Sequence, residues 1–200
     1  MPILRFRRFF DPPLAAAAAQ ISALRMGAKS LMTVSFACAI AAFGCIAAHR
    51  PIAGLGFIIL NRLLAGIAKP LARVRNESFV AAYLGLLFEF LFRASLAFAF
   101  ALADPTRALA AAFLMLSFTG SGTATLAFRT IANELRRPTN GDGTNGFHED
   151  GAWGESAAAF TALAIACIVP TWFSVIAYAL GVLGFVAMGI RVATAVEKLK

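Results

Sequence analysis

The stretch 51–75, PIAGLGFIILNRLLAGIAKPLARVR, decides how this chain folds. Up to Ala68 it holds a single ionisable side chain, Arg62, and a single amide, Asn61. An apolar helix of this length, rising about 1.5 Å per residue, nearly matches a hydrocarbon core about 30 Å thick. The end of the stretch carries Lys69, Arg73 and Arg75. Oily for the thickness of a membrane and then abruptly basic, it reads as a transmembrane helix leaving the bilayer on its cytoplasmic side into a basic loop.

Composition extends that reading to the whole chain. Sixty per cent of the 200 residues are hydrophobic, and the mean hydropathy is +0.78. A soluble domain of this size buries a core, but it cannot hide so much apolar surface from water, so the excess faces lipid. The net charge of +8 raises the question of nucleic acid. The lysines and arginines instead gather at the ends of apolar runs and form no stripe interleaved with aromatics, which points to anionic headgroups and away from nucleic acid. Cys38, Cys45 and Cys167 lie inside apolar runs without a CxxC pair and read as small buried hydrophobes.

Hydropathy predicts six spans: Ser30–Ala48, Pro51–Ala68, Ser78–Ala101, Arg107–Phe128, Ser156–Val169 and Thr171–Ile190. The last two come from one long run that Pro170 divides, because proline interrupts helical hydrogen bonding. Fourteen lysines and arginines fall on one side of these spans, against Arg50 and Arg107 on the other. The positive-inside rule therefore places both termini in the cytoplasm, which requires an even number of spans. The expected fold is all-α and integral to the membrane: a six-transmembrane-helix bundle over residues 30–200. Residues 1–29 precede it as a juxtamembrane segment. Within them RFRRFFDPPLAAAAAQISAL (5–24) is a poor signal peptide, broken by Asp11-Pro12-Pro13, and a plausible amphipathic helix on the membrane surface. The polar stretch 136–155, RRPTNGDGTNGFHEDGAWGE, reads as a flexible cytoplasmic loop, its acidic spacing unsuited to a calcium loop.

Three ionisable groups remain inside the spans: Arg62, Glu89 and Arg93. Charges at that depth are costly and point to function by default. Glu89 and Arg93 are four apart, so they share a helix face and can pair, with Arg62 on the preceding helix as a second partner. The trio suits an ion-pair clamp between two helices. It equally suits a polar cavity open to the cytoplasm, where Arg62, Arg73 and Arg75 attract a phosphate.

Six spans, a surface helix and a cytoplasmic site between spans two and three resemble the CDP-alcohol phosphatidyltransferases, whose signature is D-x-x-D-G-x-x-A-R-x8-G-x3-D-x3-D. With LARVR (71–75) as anchor, Ala72 and Arg73 match the A-R pair. Ala65 and Ala68 then stand where the first two aspartates belong, and Lys69 replaces the glycine. With a spacer one residue shorter, Ala81 takes the next glycine position, Gly85 the third aspartate and Glu89 the fourth. The segments EFLFRASLAFAFALADP (89–105) and SFTGSGTATLAF (117–128) are similar to one bacterial branch of the family, and the resemblance covers most of the chain from residue 50 onward.

In that family the aspartates bind a divalent metal, usually Mg²⁺, that holds the CDP pyrophosphate, and the last one activates the acceptor alcohol. The resemblance thus implies a substrate site around Arg62, Gly66, Ala72, Arg73, Arg75 and Arg93, with Glu89 at the base position. It implies no metal here, because Mg²⁺ needs several hard oxygen ligands and three of the four carboxylate positions are Ala, Ala and Gly. The expectation is a catalytically impaired member acting as a structural or regulatory subunit in phospholipid metabolism, without a cofactor. It would sit in the bacterial inner membrane among anionic headgroups and pair with itself or with an active relative. Two alternatives stand beside it. One is an active transferase that moves a phosphatidyl group from CDP-diacylglycerol to an alcohol, releasing CMP, with Glu89 as base. The other is a lipid-binding protein that holds an anionic headgroup near Arg62, Glu89 and Arg93.

Overall fold

The computed structural model describes residues 27–74, 78–134 and 146–199, and these are helical apart from short turns. The helices are α1 (Ala28–Ala47), α2 (Pro51–Val74), α3 (Ser78–Ala103), α4 (Ala108–Glu134), α5 (Gly146–Ile168) and α6 (Phe173–Leu199). Short 3-10 turns at Pro105–Arg107 and Pro170–Trp172 lead into α4 and α6. Among the described residues five helices are long and apolar enough to cross a membrane, over Lys29–Ala47, Pro51–Ala68, Tyr83–Ala103, Pro105–Ala127 and Pro170–Glu197. The chain is an integral membrane protein. In α5 the apolar part, Ala157–Ile168, is shorter than the roughly twenty residues a span requires. The expected surface helix in residues 1–29 lies almost wholly outside the described residues.

The chain divides into two compact units, Met1–Ser95 and Leu96–Lys200. In the first, α1 and α2 form an antiparallel hairpin. Its turn closes with Arg50 N donating to Cys45 O (2.8 Å) and His49 N to Ile46 O (3.0 Å). His49 sits at φ 60°, the left-handed conformation that helix ends often place just past the last turn. Next to the turn the two helices nearly touch: a Cβ on Gly54 would lie 2.6 Å from Ile46 Cγ1 and 3.2 Å from Ala42 O. At the far end of the hairpin Leu31 and Met32 of α1 pack with Ala68 and Leu71 of α2, flanked by Leu64, Ile67, Leu84 and Phe88. Phe36 stacks on Phe88 with ring centroids 4.3 Å apart, which ties α3 to α1.

In the second unit α4 and α6 run parallel. Gly181 meets Phe113, Gly120 meets Met188, and Ser117 Oγ donates to Gly181 O at 2.9 Å. A Cβ on Gly184 would collide with Ser117 Oγ. Arg191 Nη1 closes the seam by donating to Ser121 Oγ (2.7 Å) and approaching Thr125 Oγ1 (3.3 Å). Phe100, at the end of α3, stacks on Phe173 at the start of α6 (4.4 Å).

Two expected boundaries are corrected. The helix that begins at Pro51 does not give way to a basic loop after Ala68 but continues to Val74, through Pro70. Proline costs a helix one internal hydrogen bond. Here the turns on either side are held by burial of Ala68 and Leu71, both fully shielded. The segment read as a loop over 136–155 is helical from Gly146 onward. Hydropathy falls there because of charge and glycine. A helix requires only good local formers such as Glu149, Ala152 and Glu155, and no proline occurs between Pro138 and Pro170. The division at Pro170 stands: α5 ends at Ile168 and a new turn starts at Pro170.

Candidate functional site

The first unit carries a ladder of polar side chains through otherwise apolar helices. It starts on α1, where Ser35 is buried, and crosses to Asn61 on α2, also buried. Asn61 Nδ2 donates to Ser35 O at 2.7 Å and to Ser35 Oγ at 2.9 Å, while Ser35 Oγ donates to Asn61 O at 3.1 Å. In lipid every polar group must find its partner within the protein, so reciprocal bonds of this kind hold two helices in one register. The Asn61 Oδ1 acceptor then turns toward its neighbour. Arg62 donates to it from Nε (3.1 Å) and Nη2 (2.9 Å), which fixes the plane of the guanidinium.

From Arg62 the ladder reaches α3. Arg62 Nη1 lies 3.7 Å from Glu89 Oε1, and Arg93 Nη2 donates to the same oxygen at 2.8 Å. The guanidinium of Arg62 also lies 5.3 Å from the centre of the Phe92 ring, and that of Arg93 lies 5.8 Å from the Phe90 ring. Both are within cation–π range, which suits a cation removed from water. The side chains of Arg62, Glu89 and Arg93 are 29%, 20% and 11% exposed, so the assembly is partly buried and most open at Arg62. Two positive charges on one negative leave the trio a net cation.

Arg62, Glu89 and Arg93 thus come together. Gly66 follows Arg62 by one turn on α2 and is half-buried. Ala72 and Arg73 belong to the last turn of α2, but their side chains lie outside what is described, and Arg75 lies outside the described residues altogether. Ser35 is absent from the expected site and Asn61 figures there only as a lone amide; a serine and an asparagine in two successive apolar runs are the signal for their pairing.

Two of the positions that a signature metal site needs, Ala68 and Gly85, lie against hydrocarbon. Ala68 is fully buried in the cluster with Leu31, Met32 and Leu71. A Cβ on Gly85 would meet Met32 Cε at 3.5 Å, ordinary contact distance. Met32 thus shares a cluster with one of these carboxylate positions and lies beside another. The remaining acid, Glu89, is engaged by two arginines. Among the described residues no three of His, Cys, Asp and Glu come together as metal ligands. This donor set does not fit Mg²⁺.

The chain is 33% identical over 145 residues to the inner membrane protein YnjF of Escherichia coli (strain K12), a match that covers 72% of this chain and 70% of that protein. No family model matches the chain, and no solved structure matches it.

Proposed function

The chain belongs to the family of the Escherichia coli inner membrane protein YnjF, and from that premise we propose an inner-membrane protein on a CDP-alcohol phosphatidyltransferase-like scaffold that has lost the chemistry. It acts as a structural or regulatory subunit in phospholipid metabolism. The reading includes six spans, with α5 as a short fifth, and both termini in the cytoplasm, as the distribution of basic residues favours. It also includes assembly with a second copy or with an active relative.

One observation carries the proposal. Met32 shares a buried apolar cluster with Ala68, and its Cε would lie 3.5 Å from a Cβ placed on Gly85, the two positions where the resemblance puts metal-binding aspartates. Without the dication, a departing CMP loses its main electrostatic stabilisation, a contribution of several kcal/mol in such reactions. Glu89 supports the same conclusion. Both arginines of the trio converge on its Oε1, Arg93 by a 2.8 Å hydrogen bond and Arg62 at 3.7 Å, so the carboxylate is already engaged within the protein.

The test is a purified sample given Mg²⁺, CDP-diacylglycerol and a panel of small alcohols, with CMP release as the readout. Release at the no-protein background is expected, together with recovery of a second polypeptide or a second copy after mild solubilisation. Release that disappears in Glu89→Gln would establish an active transferase instead. A monodisperse monomer with no partner would remove the subunit role.

A further inference from the structure

The direction of the helices in the second unit sets a length problem for α5. Along the α4–α6 seam Phe113 meets Gly181, Ser117 meets Gly184, Gly120 meets Met188 and Ser121 meets Arg191. The numbers rise together, so the chain between α4 and α6 must travel back over the height of the seam. α5 is the helix in that connection, and it packs on α6. Its 23 residues give about 34 Å, enough for a bilayer. Its apolar part, Ala157–Ile168, gives only about 18 Å against a hydrocarbon core of about 30 Å. Its neighbours have no such deficit, with apolar stretches of 23 residues over Pro105–Ala127 and 28 over Pro170–Glu197.

Both ends of the short run are fixed. Beyond Ile168 comes the Pro170 turn, where Trp172 is 63% exposed, and tryptophan concentrates at the level of the headgroups. Before Ala157 come Glu155, Asp150 and Glu149. A short carboxylate side chain cannot reach back to the headgroups as lysine and arginine do, so snorkelling does not make up the difference. Phe160, Leu163 and Cys167 turn one face of the run into the protein, while Thr161, Ile165 and Ile168 are exposed. That outer face offers little to a neighbouring helix. Its isoleucines are bulky where membrane helix contacts favour small residues, and the Thr161 hydroxyl already donates to Ala157 O at 2.8 Å. We propose that the outer face of α5 is a lipid surface for short acyl chains, with the bilayer locally thinned in the leaflet at the Glu155 end. This rests on the fifth span of the function proposed above and on none of its claims about catalysis or partners.

The experiment uses the full chain in phosphatidylcholine vesicles whose monounsaturated chains have about 14, 18 or 22 carbons, with tryptophan quenching by dibrominated lipid of each length as the readout. Trp153→Phe and Trp172→Tyr clear the background while keeping an interfacial aromatic at the turn. A single tryptophan is then placed on α5 by Ile165→Trp or on the long, exposed face of α6 by Val182→Trp. At the α5 position the shortest lipid should be favoured over the longest at least about threefold, and at the α6 position no such preference is expected. Glu155→Leu lengthens the apolar run toward Gly151 and should reduce the α5 preference at least about twofold, while an unchanged α6 signal reports an intact fold. Equal preference at both positions, a preference for long chains at α5, or no effect of Glu155→Leu would each overturn the proposal. Weak quenching at α5 by every lipid, beside full quenching at α6, would reveal a protein neighbour there and overturn it as well. CMP release and partner recovery are scored separately, so failure here leaves the impaired-subunit reading standing.

Discussion

Replacing Asn61 by leucine tests whether the polar ladder holds the α1–α2 hairpin together. The substitution keeps side-chain volume but deletes both Nδ2 donations to Ser35, at 2.7 and 2.9 Å, and the Oδ1 that receives two guanidinium hydrogen bonds. Side-chain hydrogen bonds between membrane helices average about 0.6 kcal/mol and reach about 1.7. The Ser35 pairing is short, buried and reciprocal, so about 1–2 kcal/mol is its share. Bonds to a charged group contribute about 1.5–3 kcal/mol when buried, and partial exposure of Arg62 keeps this share near the lower end. The expected loss is about 2–4 kcal/mol in reversible unfolding from mixed detergent micelles. In a double-mutant cycle Ser35→Ala should be non-additive with Asn61→Leu by about 0.5–1 kcal/mol, because the two share the Asn61 Nδ2–Ser35 Oγ bond. A loss below about 0.5 kcal/mol, or strict additivity, would show that the ladder is incidental to stability.

Gly181→Ala should cost about 1–3 kcal/mol, because the new methyl falls 2.5 Å from Phe113 Cε1 and that ring is already packed against Tyr178 and Phe185. Gly44→Ala, where a Cβ meets nothing within 4 Å, should be neutral or stabilising by up to about 1 kcal/mol in the same unfolding assay. His49→Gly relieves the left-handed residue at the hairpin turn and should raise stability by about 0.5–1 kcal/mol, whereas His49→Val should lower it. Asp104→Ala removes the oxygen that accepts from Thr106 N and Oγ1, together with the carboxylate 3.1 Å from Arg107 Nε. Thermal unfolding should register a loss of about 1 kcal/mol.

Much of this architecture is legible in the chain because lipid leaves few options. Apolar runs of fixed length mark α1 to α4 and α6, and Pro170 marks where the last long run must break. The trio was legible for a related reason: Glu89 and Arg93 share a helix face, and Arg62 stands out in a segment with no other charge. The partnership of Ser35 with Asn61 was not legible, since it depends on the register of α1 against α2. That register is set by the close approach at Gly54 and the turn at His49, neither of which has a hydropathy signature. Nor could spacing reveal that Met32 joins the cluster of Ala68 and lies beside Gly85, because it comes from a different helix. The start of α5 was missed because a polar helix and a polar loop look alike to hydropathy.

Mn²⁺ is a spectroscopically visible substitute for Mg²⁺, and its binding to the purified, lipid-free chain, followed by electron paramagnetic resonance, tests the loss of the metal site without relying on turnover. With Met32 against Ala68 and near Gly85, and Glu89 engaged by two arginines, the expected spectrum throughout the titration is that of hexaaquo Mn²⁺, with no stoichiometric site tighter than millimolar. One tightly held ion per chain, released in Glu89→Gln, would contradict the central claim.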